Sequence, residues 1–173
     1  MNEEKFTGKA DVYTKYRPSY PDEFINYLFS EIGFAKDCVI ADIGSGTGKL
    51  TELLLKRDCF VYGVEPNDDM RSTAEKLFAN YHNFKSVNAS AENTGLPDDS
   101  INYITVAQAF HWFDRKSFRQ ECQRILKRQG KAVLVWNSRD SSSELVIEND
   151  SVNRKFCPDF KGFSGGDRGE SPE

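Results

Sequence analysis

Long apolar runs are missing from this chain, and so is a leader with a charged end, an apolar middle and a small-residue cleavage site. Both absences lead to the expectation of a cytoplasmic protein with no membrane partner. Basic charge is also short. Lys and Arg number 23 against 27 Asp and Glu, for a net charge of -4 and a sequence pI near 5.3. A face for nucleic acid needs clustered Lys and Arg, so no nucleic-acid partner is expected; Lys56-Arg57 and Lys127-Arg128 read as cations at helix ends, where they complement the macrodipole. Cys38, Cys59, Cys122 and Cys157 show no C-x-x-C pairing and are read as reduced, partly buried thiols; no metal site is expected. No internal repeat is present. What remains is 38% apolar and 13% aromatic content over 173 residues, enough for one soluble domain with a real core.

The informative run is Val39-Ile40-Ala41-Asp42-Ile43-Gly44-Ser45-Gly46-Thr47-Gly48. Residues 38–43 are apolar and rich in β-branched side chains, which suits the centre of a parallel sheet. The run closes on an acid, and glycine then falls at every second position, where the chain can turn sharply and approach a ligand. Leu50, Leu53 and Leu54 follow at helical spacing, so strand, turn and helix open a βαβ unit. The glycine spacing is neither the dinucleotide G-x-G-x-x-G nor the P-loop G-x-x-x-x-G-K-[ST], since Lys49 is followed by Leu50. A second acid, Glu65, closes the next apolar run at about the twenty-residue offset where a strand-end carboxylate takes a ribose diol. The expected ligand is a nucleoside without a pyrophosphate.

Around this motif the chain reads as a lead-in followed by alternating strands and helices. Asp22 starts a helix after Pro21, with Phe24, Ile25, Leu28, Phe29 and Ile32 on one face and Gly33 at its end. Strands are expected over 38–43, 60–64, 84–88, 101–107 and 131–136. Helices are expected near 49–56, 68–81 and 114–127, the last closed by Gly130. This is an α/β pattern: a doubly wound, mostly parallel sheet with a crevice at the carboxyl ends of its strands. From Ser138 onward apolar residues are sparse, Ser141-Ser142-Ser143 and several glycines intervene, and a weakly structured tail is expected.

The string Asp42-Ile43-Gly44-Ser45-Gly46-Thr47-Gly48, with Glu65, resembles the first motif and ribose acid of the class I S-adenosylmethionine-dependent methyltransferases. Val87-Asn88-Ala89-Ser90-Ala91-Glu92 with Leu96-Pro97-Asp98 is similar to that family's loop beside the adenine, and 101–107 to its fourth strand. Gln108-Ala109-Phe110-His111-Trp112-Phe113 and Tyr16-Arg17-Pro18-Ser19-Tyr20-Pro21 resemble the methyltransferase type 11 branch that includes trans-aconitate methyltransferase-like proteins. The resemblance runs from about Phe6 to Asn137. It implies a Rossmann-like fold, S-adenosyl-L-methionine as cofactor, a lid segment and helix over 1–30, a cofactor-binding core over 31–137 and a tail over 138–173. A complete member continues with two strands that close the sheet, so the chain is expected to be shortened, with its fifth strand open to self-association.

Cofactor contacts are implied for Asp42, Gly44, Ser45, Gly46, Gly48, Glu65, Pro66, Met70, Ala91, Glu92, Gln108 and Tyr16. Asp42 is expected to find partners in the glycine turn or in the cofactor's amino group, because an unpaired buried charge is costly. His111 and Arg17 are the candidate catalytic residues, Trp112, Phe113 and Arg115 the candidate acceptor contacts, and Tyr13, Tyr16 and Tyr20 an aromatic lid. The implied reaction is methyl transfer to a small-molecule acceptor. A carboxylate acceptor needs no base and would be held by Arg17, His111 or Arg115; a phenol or amine would lose a proton, with His111 as the base. A non-catalytic cofactor-binding subunit or regulator, and a nucleotide-binding α/β domain of another type, stay open as alternatives. His82 reads as a loop residue.

Overall fold

A computed structural model describes residues 19–137, 140–157 and 159–160. The chain divides into two compact units that part between Val135 and Trp136. At the centre of the first is β1 (Val39–Ile43). Ile40 and Ala41 are both fully buried and enter opposite core clusters, as alternation along a strand requires. On one side lies β2 (Phe60–Val64) and then β3 (Phe84–Val87); on the other lies β4 (Ile101–Ala107) and then β5 (Leu126–Val135). Every neighbouring pair is parallel, in the order β3-β2-β1-β4-β5. The order reverses between β1 and β4, and crevices in doubly wound sheets open at the carboxyl ends of the strands at such a switch.

Helices cover both faces, as the alternating pattern predicts. α1 (Asp22–Tyr27), α2 (Lys49–Leu55) and α3 (Asp68–Leu77) bury Ile25, Leu50, Leu54 and Ala74 in one cluster, while α4 (Arg115–Ile125) buries Phe118, Cys122 and Ile125 in the other. Local chemistry sets the helix starts. The Asn67 side chain accepts the Met70 N–H at the head of α3, and Asp114 accepts the Ser117 N–H at the head of α4. α1 widens into a π-type turn over Leu28–Ile32 and stops at Gly33, whose carbonyl accepts the Tyr103 hydroxyl at 2.6 Å.

Several boundaries depart from the sequence expectation. α4 ends at Ile125 and β5 begins at Leu126, so Gly130 lies inside the strand and does not close the helix. Leu126 pairs with Ile101 and packs against the core, which draws the chain into extended form at once; the register then shifts before Tyr103 meets Lys131. A Cβ at Gly130 would stand 3.0 Å from the main-chain oxygens of Asn102 and Lys127, so the shift needs glycine there. α3 stops at Leu77 because Phe78 leaves helical geometry to bury its ring against Tyr81 and Phe84. In the second unit, where a weakly structured tail was expected, residues Glu144–Phe156 form α5. No residue of α5 is buried, and its support is local: Asp150 pairs with Arg154 at i,i+4, Glu144 sits in the first turn, and Arg154 and Lys155 sit in the last. All four cysteines are free, with Cys38, Cys59 and Cys122 buried. Among the described residues no helix is long and apolar enough to cross a membrane.

Candidate functional site

Four loops meet at the carboxyl ends of the strands. The first is the turn at 44–48, which carries the sheet's hydrogen bonding one step beyond β1. Gly44 and Ser45 both donate their N–H to the Val64 carbonyl, at 2.9 and 3.2 Å, and Gly48 donates to Ser45. Gly44 and Gly46 sit at φ of 69° and 58°, in the left-handed region. Their roles differ. A Cβ on Gly44 would stand 2.6 Å from the Ala109 Cβ and 3.3 Å from the Phe113 ring, so this glycine lets the loop after β4 pack on the turn. Among the described residues a Cβ on Gly46 would meet nothing within 4 Å, so this side of the turn is open. Both glycines were expected to make room for ligand; among the described residues Gly44 is packed by Ala109 and Phe113, while Gly46 is open. Gly48 lies against the Phe78 ring, and Ser45 lies beside Gly63 of β2.

The two acids part company in the structure. Asp42 is 1% exposed, and its oxygens accept the hydroxyls of Thr51 (2.6 Å) and Thr105 (2.8 Å). Its protein partners thus come from α2 and β4, where the glycine turn or the cofactor's amino group had been expected to supply them. Burial pushes its carboxyl above the ordinary range, and the two hydroxyls offset part of that push. Glu65 is the acid that serves the turn. Its Oε2 accepts the Gly46 N–H and its Oε1 the Asn67 N–H, both at 2.9 Å, which ties the end of β2 to the turn after β1 and to the head of α3. Burial raises its carboxyl as well, opposed by those two N–H groups. Each carboxylate oxygen keeps a further lone pair, so Glu65 can hold the turn and still accept a diol.

The other candidates scatter around this centre. Met70 is 3% exposed, its N–H held by Asn67, and the Pro66 carbonyl accepts from Arg71. Ala91 is buried in the cluster that includes Val64 and Ala109. Glu92 turns to α4, where its Oε1 accepts the Asp114 N–H at 2.9 Å. Gln108 leaves β4 with its N–H on the Val135 carbonyl and a φ of 61°, a left-handed geometry that costs a residue with a Cβ roughly 1–2 kcal/mol. Next comes a short 3-10 turn over Phe110–Trp112. His111 and Trp112 are exposed with ring centroids 4.6 Å apart, and Phe113 reaches back to Gly44. Arg115 lies over the Phe110 ring at 5.7 Å. Tyr13, Tyr16 and Arg17 lie outside the described residues, and Tyr20 packs against Phe24.

The residues present fit the cofactor that the resemblance implies. Among the described residues, Thr47 Oγ1 and Gln108 Nε2 are buried with no hydrogen-bond partner, and both belong to segments that meet at the turn. Buried polar groups left unpaired ask for a ligand's polar atoms. Of the two acids, Glu65 is the one with a partner in the turn itself, so its remaining lone pairs lie beside these atoms. Sequence reasoning did not single out Thr47, Thr51, Asn67 or Thr105. Asn67 carried a readable signal, an N-cap side chain ahead of Asp68 and Asp69.

A family model described as "Methyltransferase domain" matches residues 41–134. An uncharacterised methyltransferase of Mycobacterium tuberculosis (strain H37Rv) is 36% identical over 143 residues, which cover 83% of this chain and 56% of the relative. One from Schizosaccharomyces pombe is 32% identical over 139 residues, 79% of this chain and 54% of the relative. The chain spans about half the length of the curated relatives it matches. Among solved structures, a SAM-dependent methyltransferase from Aquifex aeolicus shares the fold with a TM-score of 0.61 at 18% identity, covering 89% of this chain and 85% of that one.

Proposed function

This chain belongs to the methyltransferase-domain family, and from that premise we propose that it binds S-adenosyl-L-methionine at the strand ends and transfers the methyl group to a small-molecule acceptor, a carboxylate by preference. The observation that carries the reading is the Glu65 carboxylate fixed on the Gly46 N–H, beside the open side of Gly46 and the unpartnered Thr47 and Gln108 atoms. When bound, the cofactor supplies an electrophilic sulfonium methyl. The protein's part is to bind, orient and exclude water. Glu65 accepts the ribose hydroxyls, Thr47 and Gln108 offer polar atoms to the amino-acid end, and the 108–113 segment closes the acceptor side. Holding two reactants in line lowers a barrier by on the order of 7–11 kcal/mol, more than the roughly hundred- to ten-thousand-fold factor of a general base.

A carboxylate acceptor releases no proton, so the groups it needs are cationic. Arg17, His111 or Arg115 would hold the acid, and the likeness of the 108–113 string to the trans-aconitate methyltransferase-like branch supports this. A phenol or amine would instead give its proton to His111. The net charge of -4 suits a small acceptor better than nucleic acid. We place the reaction in the cytoplasm and expect self-association along β5, which among the described residues pairs with β4 alone. Calorimetric titration with S-adenosylhomocysteine and with NAD, followed by assay of labelled cofactor against small carboxylic acids, tests the reading. Binding of the first ligand and methylation of an acid are expected. NAD binding in its place overturns the cofactor, and binding without turnover of any acceptor favours a regulator.

A further inference from the structure

We propose that Cys38 and Cys59 form a reversible dithiol site, oxidised by a peroxide to a disulfide that ties the amino end of β1 to that of β2. The pair stands immediately before Val39 and Phe60, whose pairing opens the two strands, at the end of β1 away from the glycine turn. Their Sγ atoms are 3.6 Å apart and share a hydrogen bond, and Cys59 also donates to the Ala35 carbonyl at 3.6 Å. Both side chains enter the cluster that holds Ile40 and Val61, so they lie on one face of the sheet. The main chain fixes this approach from both sides. Asp37 donates its N–H to the Asp58 carbonyl at 3.0 Å, Phe60 donates to the Cys38 carbonyl at 2.9 Å, and the Asn83 amide holds the Cys59 carbonyl at 2.7 Å.

Neighbouring strands lie about 4.8 Å apart, within the roughly 4.4–6.8 Å Cα separation of disulfides, so side-chain rotation can bring the sulfurs to about 2.0 Å. The two thiols are not equivalent. Cys38 is 9% exposed and Cys59 is fully buried, so a small oxidant meets Cys38 first. A thiolate on Cys38 accepts from the Cys59 thiol, which holds Cys38 down to about 7 against burial and the Asp37 charge, while Cys59 is pushed up. Asp58, paired with Lys36, adds to the push on Cys59. In the first step the Cys38 thiolate attacks one peroxide oxygen; the O–O bond breaks, the departing oxygen takes a proton and leaves as water, and Cys38 becomes a sulfenic acid. The Cys59 sulfur then attacks the Cys38 sulfur, forming the S–S bond, while the hydroxyl leaves with the Cys59 proton as a second water. Two thiols give up two electrons and the peroxide takes them. Cys122 is buried with its thiol pushed up to about 12, which makes it an internal control.

The test treats the full chain carrying Cys157→Ser, which removes the exposed thiol, with hydrogen peroxide. Remaining thiols are then alkylated in denaturant and the peptides are mapped by mass. Expected are a linked pair of peptides carrying Cys38 and Cys59, a loss of two hydrogens from the mass of the intact chain, an alkylated Cys122, and full reversal by dithiothreitol. Adding Cys59→Ser should leave a sulfenic acid on Cys38 that dimedone traps, and adding Cys38→Ser should slow oxidation of Cys59 at least tenfold. Free Cys38 and Cys59 at a peroxide level that oxidises Cys122 overturn the inference, as does a link that forms only once urea unfolds the chain. A sulfinic acid on Cys38 with Cys59 still free overturns it too. Those three results are read without either added serine, so they stand even if a doubly substituted chain fails to fold.

Discussion

Replacing Glu65 by glutamine keeps the size of the side chain and removes its charge and one acceptor oxygen. In the native site both oxygens are engaged, by the N–H of Gly46 and that of Asn67, each at 2.9 Å. Bonds from such donors to a charged acceptor contribute roughly 1.5–3 kcal/mol each. Glutamine can accept from one of the two and must point its own amide N–H at the other. One bond is lost and one N–H is left without an acceptor, for an expected stability loss of about 1–3 kcal/mol. Burial raises the native carboxyl, so the charge is itself a cost, and its removal returns part of that loss. Cofactor affinity has no such offset, because a carboxylate accepting both hydroxyls of a diol becomes an amide that can accept only one. The loss of one charge-assisted bond predicts at least a tenfold weaker dissociation constant, about 1.4 kcal/mol. Calorimetry with S-adenosylhomocysteine reads the affinity and thermal melting reads the fold. Since the ionised form accepts the diol, wild-type affinity should fall as pH drops through a carboxyl raised above the usual glutamate range, and E65Q should lose that dependence. Wild-type affinity in E65Q, with the pH dependence intact, would refute the ribose role.

Gly46→Val should abolish cofactor binding and, at a φ of 58°, lower the melting temperature through backbone strain, while Gly44→Ala should lower it through strain and the 2.6 Å approach of its Cβ to Ala109; binding titration and melting of both variants check this. The Glu121 carboxyl is held down to about 2 by Arg124 and Thr94, so its contribution is full above the unfolded value near 4.5 and is lost as pH falls toward 2. That contribution is about 2–3 kcal/mol at neutral pH, and acid titration of E121Q should show a flatter loss of stability across this window. Arg17→Ala and His111→Ala should lower turnover far more than cofactor affinity, as steady-state assay beside calorimetry would reveal; equal losses in both would place these residues on the cofactor.

The order of strands and helices was legible because it rests on local signals. Apolar runs of strand length, glycines at turns and helical spacing all act within a few residues of each other. The junction after α4 was not legible in this way. Gly130 following a helical pattern reads as a stop signal, but the pairing of Leu126 with Ile101, far away in sequence, decides where the helix ends. α5 escaped notice for a different reason: its apolar residues Leu145, Ile147, Val152 and Phe156 are exposed, so no packed face marks it after the serine run.

Asp42 and Glu65 mark the same boundary inside the site. In sequence they look alike, each an acid at the end of an apolar run and each a candidate for the ligand. What separates them is the partners: Asp42 meets hydroxyls 9 and 63 residues away, both buried, while Glu65 meets the N–H groups of Gly46 and Asn67 and retains its spare lone pairs at the crevice. An acid satisfied by two hydroxyls in the core braces β1 against α2 and β4, and so sets where the glycine turn begins. An acid satisfied by the turn itself sets where the turn points. The first role tolerates loss of charge, because a threonine hydroxyl can reverse to accept from an amide. The second does not, because a backbone N–H can only donate. The motif spacing therefore locates the turn, and the chemistry of the distant partner decides which of its two acids keeps lone pairs to spare beside it.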